Sequence, residues 1–273
     1  MLATLAQEEA AIATRLLRPS LSLCRRELVR FVRQRNRIIG ALATPILFWL
    51  LIGLGMGRNF NAGSGAGPDG GDYMRYFFPG TIVMILLFTA LFSTISIIED
   101  RHEGFLQSVL VAPIWRGAVV LGKLMGGTLL AFGQGVIFLL LAPLIGIHVG
   151  FTALAASCAF LFVMSFALTG MGFCIAWRMS STQGFHAIMN LFLMPMWFLS
   201  GAIFPARGAM RWIMGLNPLT YGLAGLRRSL YWNTSGGDLP GMATCMGVSL
   251  LFAAAMFVLA AYVARGSVAA DLQ

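Results

Sequence analysis

The stretch Ile98-Glu-Asp-Arg-His-Glu-Gly-Phe-Leu-Gln-Ser-Val-Leu-Val-Ala-Pro-Ile-Trp-Arg-Gly-Ala-Val-Val-Leu-Gly-Lys123 decides how the rest of the chain is read. Glu99, Asp100 and Glu103, three of the ten acidic residues in the chain, fall there within five positions, and long apolar runs flank them on both sides. A charged insert between two membrane spans has to sit in water, where it offers a surface for a soluble partner to grip. Helical spacing from Glu99 to Ala112 sets Glu99, Glu103, Leu106 and Leu110 along one stripe. Pro113 then ends that helix before the next span begins. The plainer alternative is an ordinary solvated loop.

Composition sets the class. Of 273 residues, 58% are hydrophobic and 11% charged, against roughly a quarter charged in a soluble domain. Mean hydropathy is +0.82. The apolar runs are near the ~20 residues a helix needs to cross a bilayer, so the expected fold is an all-α integral membrane protein. The net charge of +9 is not a nucleic-acid signal, because the arginines gather beside apolar sequence, as anionic lipid and membrane topology require. The four cysteines form no disulfide framework. Cys158 and Cys174 share one apolar run and would stand about 24 Å apart along a helix, and packing is the expected role of all four.

Residues 1–37 form a cytoplasmic N-terminal segment, separate from the membrane domain of 38–273. Glu8 and Glu9 interrupt the early apolar stretch, so it does not read as a signal peptide. From Pro19 onward, Leu23, Leu28, Phe31 and Val32 alternate with Arg25, Arg26, Arg30, Arg33, Arg35 and Arg37. That pattern predicts an amphipathic interfacial helix with its basic side toward lipid headgroups. Six spans are expected: Ile38–Met56, Pro79–Ile98, Ala118–Pro143, Phe151–Trp177, Phe185–Phe204 and Met242–Ala264, with prolines at many edges. The glycine-rich segment 62–71 is a flexible loop.

Lys and Arg counts give the orientation. Eight lie in residues 1–37, and Arg101, Arg116, Lys123, Arg178 and Arg265 bring one side to thirteen, against six on the other. The bias puts both termini in the cytoplasm of a multi-pass protein of the cell (inner or plasma) membrane. The 205–238 segment is then extracytoplasmic. Its sequence is too apolar for open water and too interrupted to span, and Asn217-Pro218 marks a turn between two short helical pieces. A re-entrant or interfacial hairpin fits, with Trp212, Tyr221, Tyr231 and Trp232 near the outer headgroups; a surface amphipathic loop is the alternative.

Two motif-like strings are decoys. Gly117-Ala-Val-Val-Leu-Gly-Lys123-Leu124 resembles a P-loop, but its last position needs a hydroxyl for magnesium, and the string enters a span instead of joining strand to helix. His102-Glu103 lacks the second histidine four residues on, since position 106 is Leu, so no metal site is expected. No cofactor is expected either. Between their ends the spans hold no Asp, Glu or Arg, and Lys123 lies near the inner edge of the third. Ion-coupled carriers usually keep an ionisable group there, so if this chain moves something uphill, the energy enters elsewhere. Gly53–Gly57 and Gly122–Gly126, four apart, permit close helix packing.

The basic helix with Arg30-Phe31-Val32-Arg33, the loop Glu99 to Pro113, and Leu199-Ser-Gly-Ala-Ile-Phe-Pro205 followed by Leu216-Asn-Pro-Leu-Thr-Tyr221 together resemble the permease subunits of type-2 ABC exporters, including drug-resistance and nodulation-factor export permeases. Family members commonly carry Glu-Arg-Glu-x-Gly-Thr in the loop, where this chain has Asp-Arg-His-Glu-Gly-Phe. The resemblance implies a six-span half-transporter without its own nucleotide-binding site, pairing with a second copy or a paralogue and with two separate ATPase subunits. It implies that Arg30, Arg33, Glu99, Asp100, Arg101, His102, Glu103 and Gly104 couple to the ATPase. It also implies that the second and fifth spans line the path, where Met84, Phe88, Phe92, Met194 and Phe198 offer a soft surface for amphipathic or lipid-like cargo; packing of helices against lipid is the alternative for these five. Asn217, Pro218 and Tyr221 mark the extracytoplasmic motif. An ion-coupled carrier, an intramembrane enzyme and a non-transporting scaffold are the competing classes, and membrane lipids are the remaining expected partners.

Overall fold

In the computed structural model, residues 2–56, 73–105, 115–204, 210–231 and 239–266 are described, with side chains from Leu17 onward. Residues 106–114, the glycine-rich 62–71, and Gly57, Pro205 and Trp232 lie outside that set. The described residues are mostly helical, joined by turns and irregular links: α1 Leu2–Arg33, α2 Arg35–Met56, α3 Tyr73–His102, α4 Arg116–Leu139, α5 Phe151–Trp177, α6 Thr182–Ile188, α7 Met194–Phe198, α8 Met210–Leu216, α9 Pro218–Leu230 and α10 Met242–Gly266. Among the described residues, five stretches are long and apolar enough to cross a membrane: α2, α3, α4 with the short 3₁₀ turn after it, α5 and α10.

α3 is the axis of the bundle. Within its apolar window 94% of residues are buried, against 22% in α2 and in α10. α3 therefore packs on neighbours along its whole length, while α2 and α10 leave most of their apolar surface facing outward. Aromatic side chains fill one end of the contact. Phe78 stacks on Phe138 at 5.1 Å, and Trp49 meets both edge-on.

The second helix is longer than the expected Pro79–Ile98 at both ends. At its start, Pro79 sits inside the helix and cannot donate to the carbonyl of Arg75. The Tyr231 hydroxyl donates to that oxygen instead, at 2.6 Å, so the proline is accommodated without a helix end. At its far end the helix runs on through Glu99 and Asp100 to His102. Gly104, with φ +74°, then breaks it, which rules out one helix over Glu99–Ala112.

The expected span Phe185–Phe204 is interrupted. α6 is followed by a π-helical turn over Met189–Leu193 and then by α7, which ends at Phe198. Pro195 lies just past that turn, where its missing N–H favours irregular backbone. Leu199 to Phe204 then turn away, with Gly201 at φ +86°.

α1 crosses the start of α4 more closely than any side chain there would allow. A Cβ on Gly122 would lie 2.8 Å from the Ser20 carbonyl, and one on Gly126 would lie 2.7 Å from Glu27 Cβ. The Ser20 hydroxyl donates to the Ala118 carbonyl at 3.0 Å. The Gly122–Gly126 pair is thus the seat of the N-terminal helix. All four cysteines are free thiols, and burial raises the Cys24 pKa.

Candidate functional site

Where α1, α3 and α4 meet, four cations face four carboxylates. Asp100 is the centre and is fully enclosed. Its Oδ1 accepts from Arg26 at 2.8 Å and Arg30 at 2.5 Å; its Oδ2 accepts from Arg26 at 3.0 Å and Lys123 at 2.5 Å. A carboxylate has about four acceptor positions, and all are used. Lys123 also donates to Glu27 at 2.9 Å, and both of those residues are buried. Arg30 reaches Glu99 at 2.9 Å and Glu103 at 3.1 Å, and Arg37 at the start of α2 closes the set on Glu99.

The sum of formal charge in this cluster is zero, which is how a buried charge survives desolvation. Losing one partner would strand the others. The hydrogen bond to Asp100 also raises the pKa of Arg26 above its ordinary value, and the Phe105 ring lies 3.6 Å from its guanidinium carbon, covering it.

Glu99 and Asp100 are therefore not an open, water-facing grip. They close on α1 because α3 carries them, without a break, to the level where α1 crosses. Arg26, Arg30 and Arg37 likewise turn to protein carboxylates and not to headgroups, because those acids lie within reach. Arg33 is exposed and joins no ion pair among the described residues.

Arg101 and His102 point the other way. Arg101 donates to the carbonyls of Trp177 and, at 3.4 Å, Met179; His102 Nε2 donates to the Ser180 carbonyl at 2.7 Å. The end of α3 thus holds α1 and α4 with its acids, and the α5–α6 turn with its basic residues. Ser181 caps α6 directly after that turn, accepting from the Gly184 N–H. Sequence reading missed Arg26, Glu27, Arg37 and Lys123 as members. The available signal was Lys123 itself, a lone cation at the start of an apolar run that needed an acid.

Of the expected path residues, Met84 is fully enclosed by its own chain and Phe88 nearly so. Phe92 and Met194 are partly exposed, and Phe198 is 44% exposed. Phe92 lies tilted against Phe88 at 5.8 Å and meets His186 of α6 edge-on at 5.9 Å, so α3 and the interrupted helix are neighbours here.

At the opposite end the Leu216–Tyr221 segment meets α7, the helix that leads into Leu199. Asn217 caps α9 by accepting from the Leu219 N–H at 3.0 Å, and its amide donates to the Met196 carbonyl in α7 at 2.6 Å. Pro218 is the first residue of α9, where a missing N–H costs nothing. The Tyr221 hydroxyl donates to the Gly215 carbonyl at 3.0 Å. The expected break between two short helices is present, and Trp212 beside it is 84% exposed.

Residues 20–231 match the ABC-2 type transporter family. That stretch holds every residue of both sites just described. The chain belongs to the ABC-2 type transporter family. This permease is 27% identical over 211 residues to the putative transport permease ycf38 of Cyanophora paradoxa, covering 75% of this chain and 71% of that one. It is 22% identical over 231 residues to the daunorubicin resistance ABC transporter permease protein DrrB1 of Streptomyces coeruleorubidus, covering 83% and 79%. With nodulation protein J of Rhizobium leguminosarum bv. viciae it shares 27% identity over 170 residues, 62% of this chain and 63% of that one. ABC permease subunits of this family work with a partner ATPase subunit, and this permease is a multi-pass membrane protein of that kind.

Proposed function

We propose that this permease is the membrane half of an ATP-driven exporter, powered by two copies of a separate ATPase subunit and working as a dimer with a second copy or a paralogue. The observation that carries the reading is the neutral charge cluster at one end of α3. With Arg101 and His102 beside it, it ties the N-terminal helix, the axis of the bundle and the α5–α6 turn into one joint, so a push at that end reaches every helix α3 touches. Arg30, Glu99 and Asp100 form the inner part of the joint, Arg101 and His102 its link to α6, and Arg33, Glu103 and Gly104 its outer edge.

On this reading the joint and both termini face the cytoplasm, α1 with its linker to residue 37 is the receiving segment, and residues 38–273 are the membrane domain. α6 and α7 with the intervening turn make a sixth crossing, and α8 and α9 fold as a hairpin dipping into the outer face around Asn217, Pro218 and Tyr221. The cargo is an amphipathic or hydrophobic compound, a lipid or a lipid-linked glycan, in keeping with the drug-resistance and nodulation names of two relatives. Phe92, Met194 and Phe198 supply the wall of its route, with Met84 and Phe88 behind them.

The test is co-expression with the cognate ATPase and reconstitution in liposomes. Glu103→Ala and Gly104→Leu should each keep ATP hydrolysis but lose most transport, with normal membrane insertion. Wild-type coupling in both variants would remove the joint from the mechanism.

A further inference from the structure

The charge cluster consumes Arg26, Arg30 and Arg37, yet α1 keeps more arginines than the cluster uses. Arg18, Arg25 and Arg33 are exposed and pair with no carboxylate among the described residues. At 3.6 residues per turn these three fall along one strip of the helix, around Val29. Leu17, Leu21 and Val32 fall along the adjoining strip and are 51%, 66% and 60% exposed. The buried strip of Leu23, Cys24, Glu27 and Phe31 is on the other side, against the bundle. A groove of about 570 Å³ runs beside Arg25, Arg26, Arg30 and Arg33.

One face of the helix is therefore divided lengthwise into an apolar strip and a basic strip. A purely acidic protein partner would explain the arginines and leave Leu17, Leu21 and Val32 in water. A phospholipid explains both, because its phosphate and acyl chain are joined in that order. The position agrees. Only Gln34 separates Arg33 from α2, a helix apolar enough to cross the membrane, so the end of the strip lies at the membrane surface.

We propose that α1 binds an anionic phospholipid, with the headgroup phosphate between Arg25 and Arg33 and the acyl chain along Leu21 and Val32. This site shares Arg33 with the edge of the proposed joint but does not depend on the export reading, needing only a membrane permease with α1 at its surface. Bound lipid would brace α1 from outside while the charge cluster holds it from inside, so lipid composition would set how firmly the joint is seated.

The experiment uses the full-length permease in detergent micelles, titrated with fluorescent phosphatidylglycerol and with phosphatidylcholine of the same chains. Two arginines at about 1 kcal/mol each, or about fivefold each, should favour phosphatidylglycerol by roughly 25-fold. Arg25→Gln with Arg33→Gln should bring that preference close to one, and both positions are exposed, so helix content by circular dichroism should be unchanged. Leu21→Gln should weaken both lipids by a similar factor and keep their ratio. Soluble glycerophosphate, which has the phosphate without the chain, should compete poorly. The proposal is overturned if the double arginine variant keeps the wild-type preference, or if glycerophosphate displaces the lipid as well as phosphatidylglycerol does. It is overturned equally if that variant keeps its lipid preference and instead loses the co-purifying ATPase, which would make the strip a protein-docking surface.

Discussion

The two ends of this permease use partly buried arginine in opposite ways. At the end of α1, α3 and α4, Arg26 and Arg30 face carboxylates, and the bonds join side chain to side chain across separate helices. At the end of α8 and α9, Arg227 donates to the backbone carbonyl of Gly201 at 2.8 Å and lies over the Tyr76 ring at 4.2 Å. Arg75 donates to the Ile145 carbonyl at 2.9 Å and Arg228 to the Leu239 carbonyl at 2.6 Å. Tyr76 and Tyr73 add hydroxyl bonds to the carbonyls of Gly201 and Ile203, and the Trp197 indole donates to that of Gly80. Apart from the Gly80 carbonyl, which lies inside α3, the second set serves irregular backbone and helix ends. Helix breaks at Gly201 and after α7 free carbonyls that no helix satisfies, and in apolar surroundings each such oxygen needs a donor. The first set holds helices that are already complete. One end repairs the chain, and the other fastens its parts.

That contrast makes unequal predictions. Asp100→Asn should be the most damaging single change. It leaves Arg26, Arg30 and Lys123 beside a neutral group in a fully buried place, a loss on the order of 3–5 kcal/mol. A sharp fall in the melting temperature of the solubilised permease would register it. Adding Lys123→Met should recover part of that loss, because one stranded cation goes with its partner. If the two losses simply add, the cluster is not a coupled unit and the contrast between the ends fails.

At the opposite end Arg227→Met should cost less, about 1–3 kcal/mol. The Gly201 carbonyl would keep its bond from Tyr76, so the repair has a second donor. No second-site charge change should rescue this variant, since no acid is involved. Rescue by neutralising a carboxylate would show that this end is an ion-pair joint as well.

The smallest stability effect is expected at the rim of the charged end. Glu103 is 58% exposed and shares Arg30 with Glu99. Glu103→Gln should change the melting temperature little, within about 1 kcal/mol. A large loss would mean that the rim bears as much of the fastening as Asp100 does.

Much of this was legible in the sequence. The apolar runs gave the membrane class, and the expected Phe151–Trp177 coincides with α5. Ile38–Met56 and Met242–Ala264 are within three residues of α2 and α10. Asn217-Pro218 marked the break between α8 and α9 because cap and proline chemistry are local. The acidic cluster was visible as an anomaly of composition, and the Gly122–Gly126 pair as room for a close neighbour.

What the sequence could not supply was the identity of the neighbours. Hydropathy and periodicity report what a segment gains by leaving water, and that depends on the segment alone. Whether Asp100 meets water or Arg26 depends on where α1 comes to rest, 74 positions away in the chain. The same holds for Lys123 and Glu27, 96 positions apart. Pro79 read as a helix start because its own N–H is missing; Tyr231, which serves the carbonyl left over, is 156 positions from Arg75. The sequence by itself determined which segments are apolar enough to cross a membrane and where charge is concentrated. Tertiary packing alone decided that the charge is buried and balanced, because pairing energy exists only once separate helices have been brought within hydrogen-bond reach.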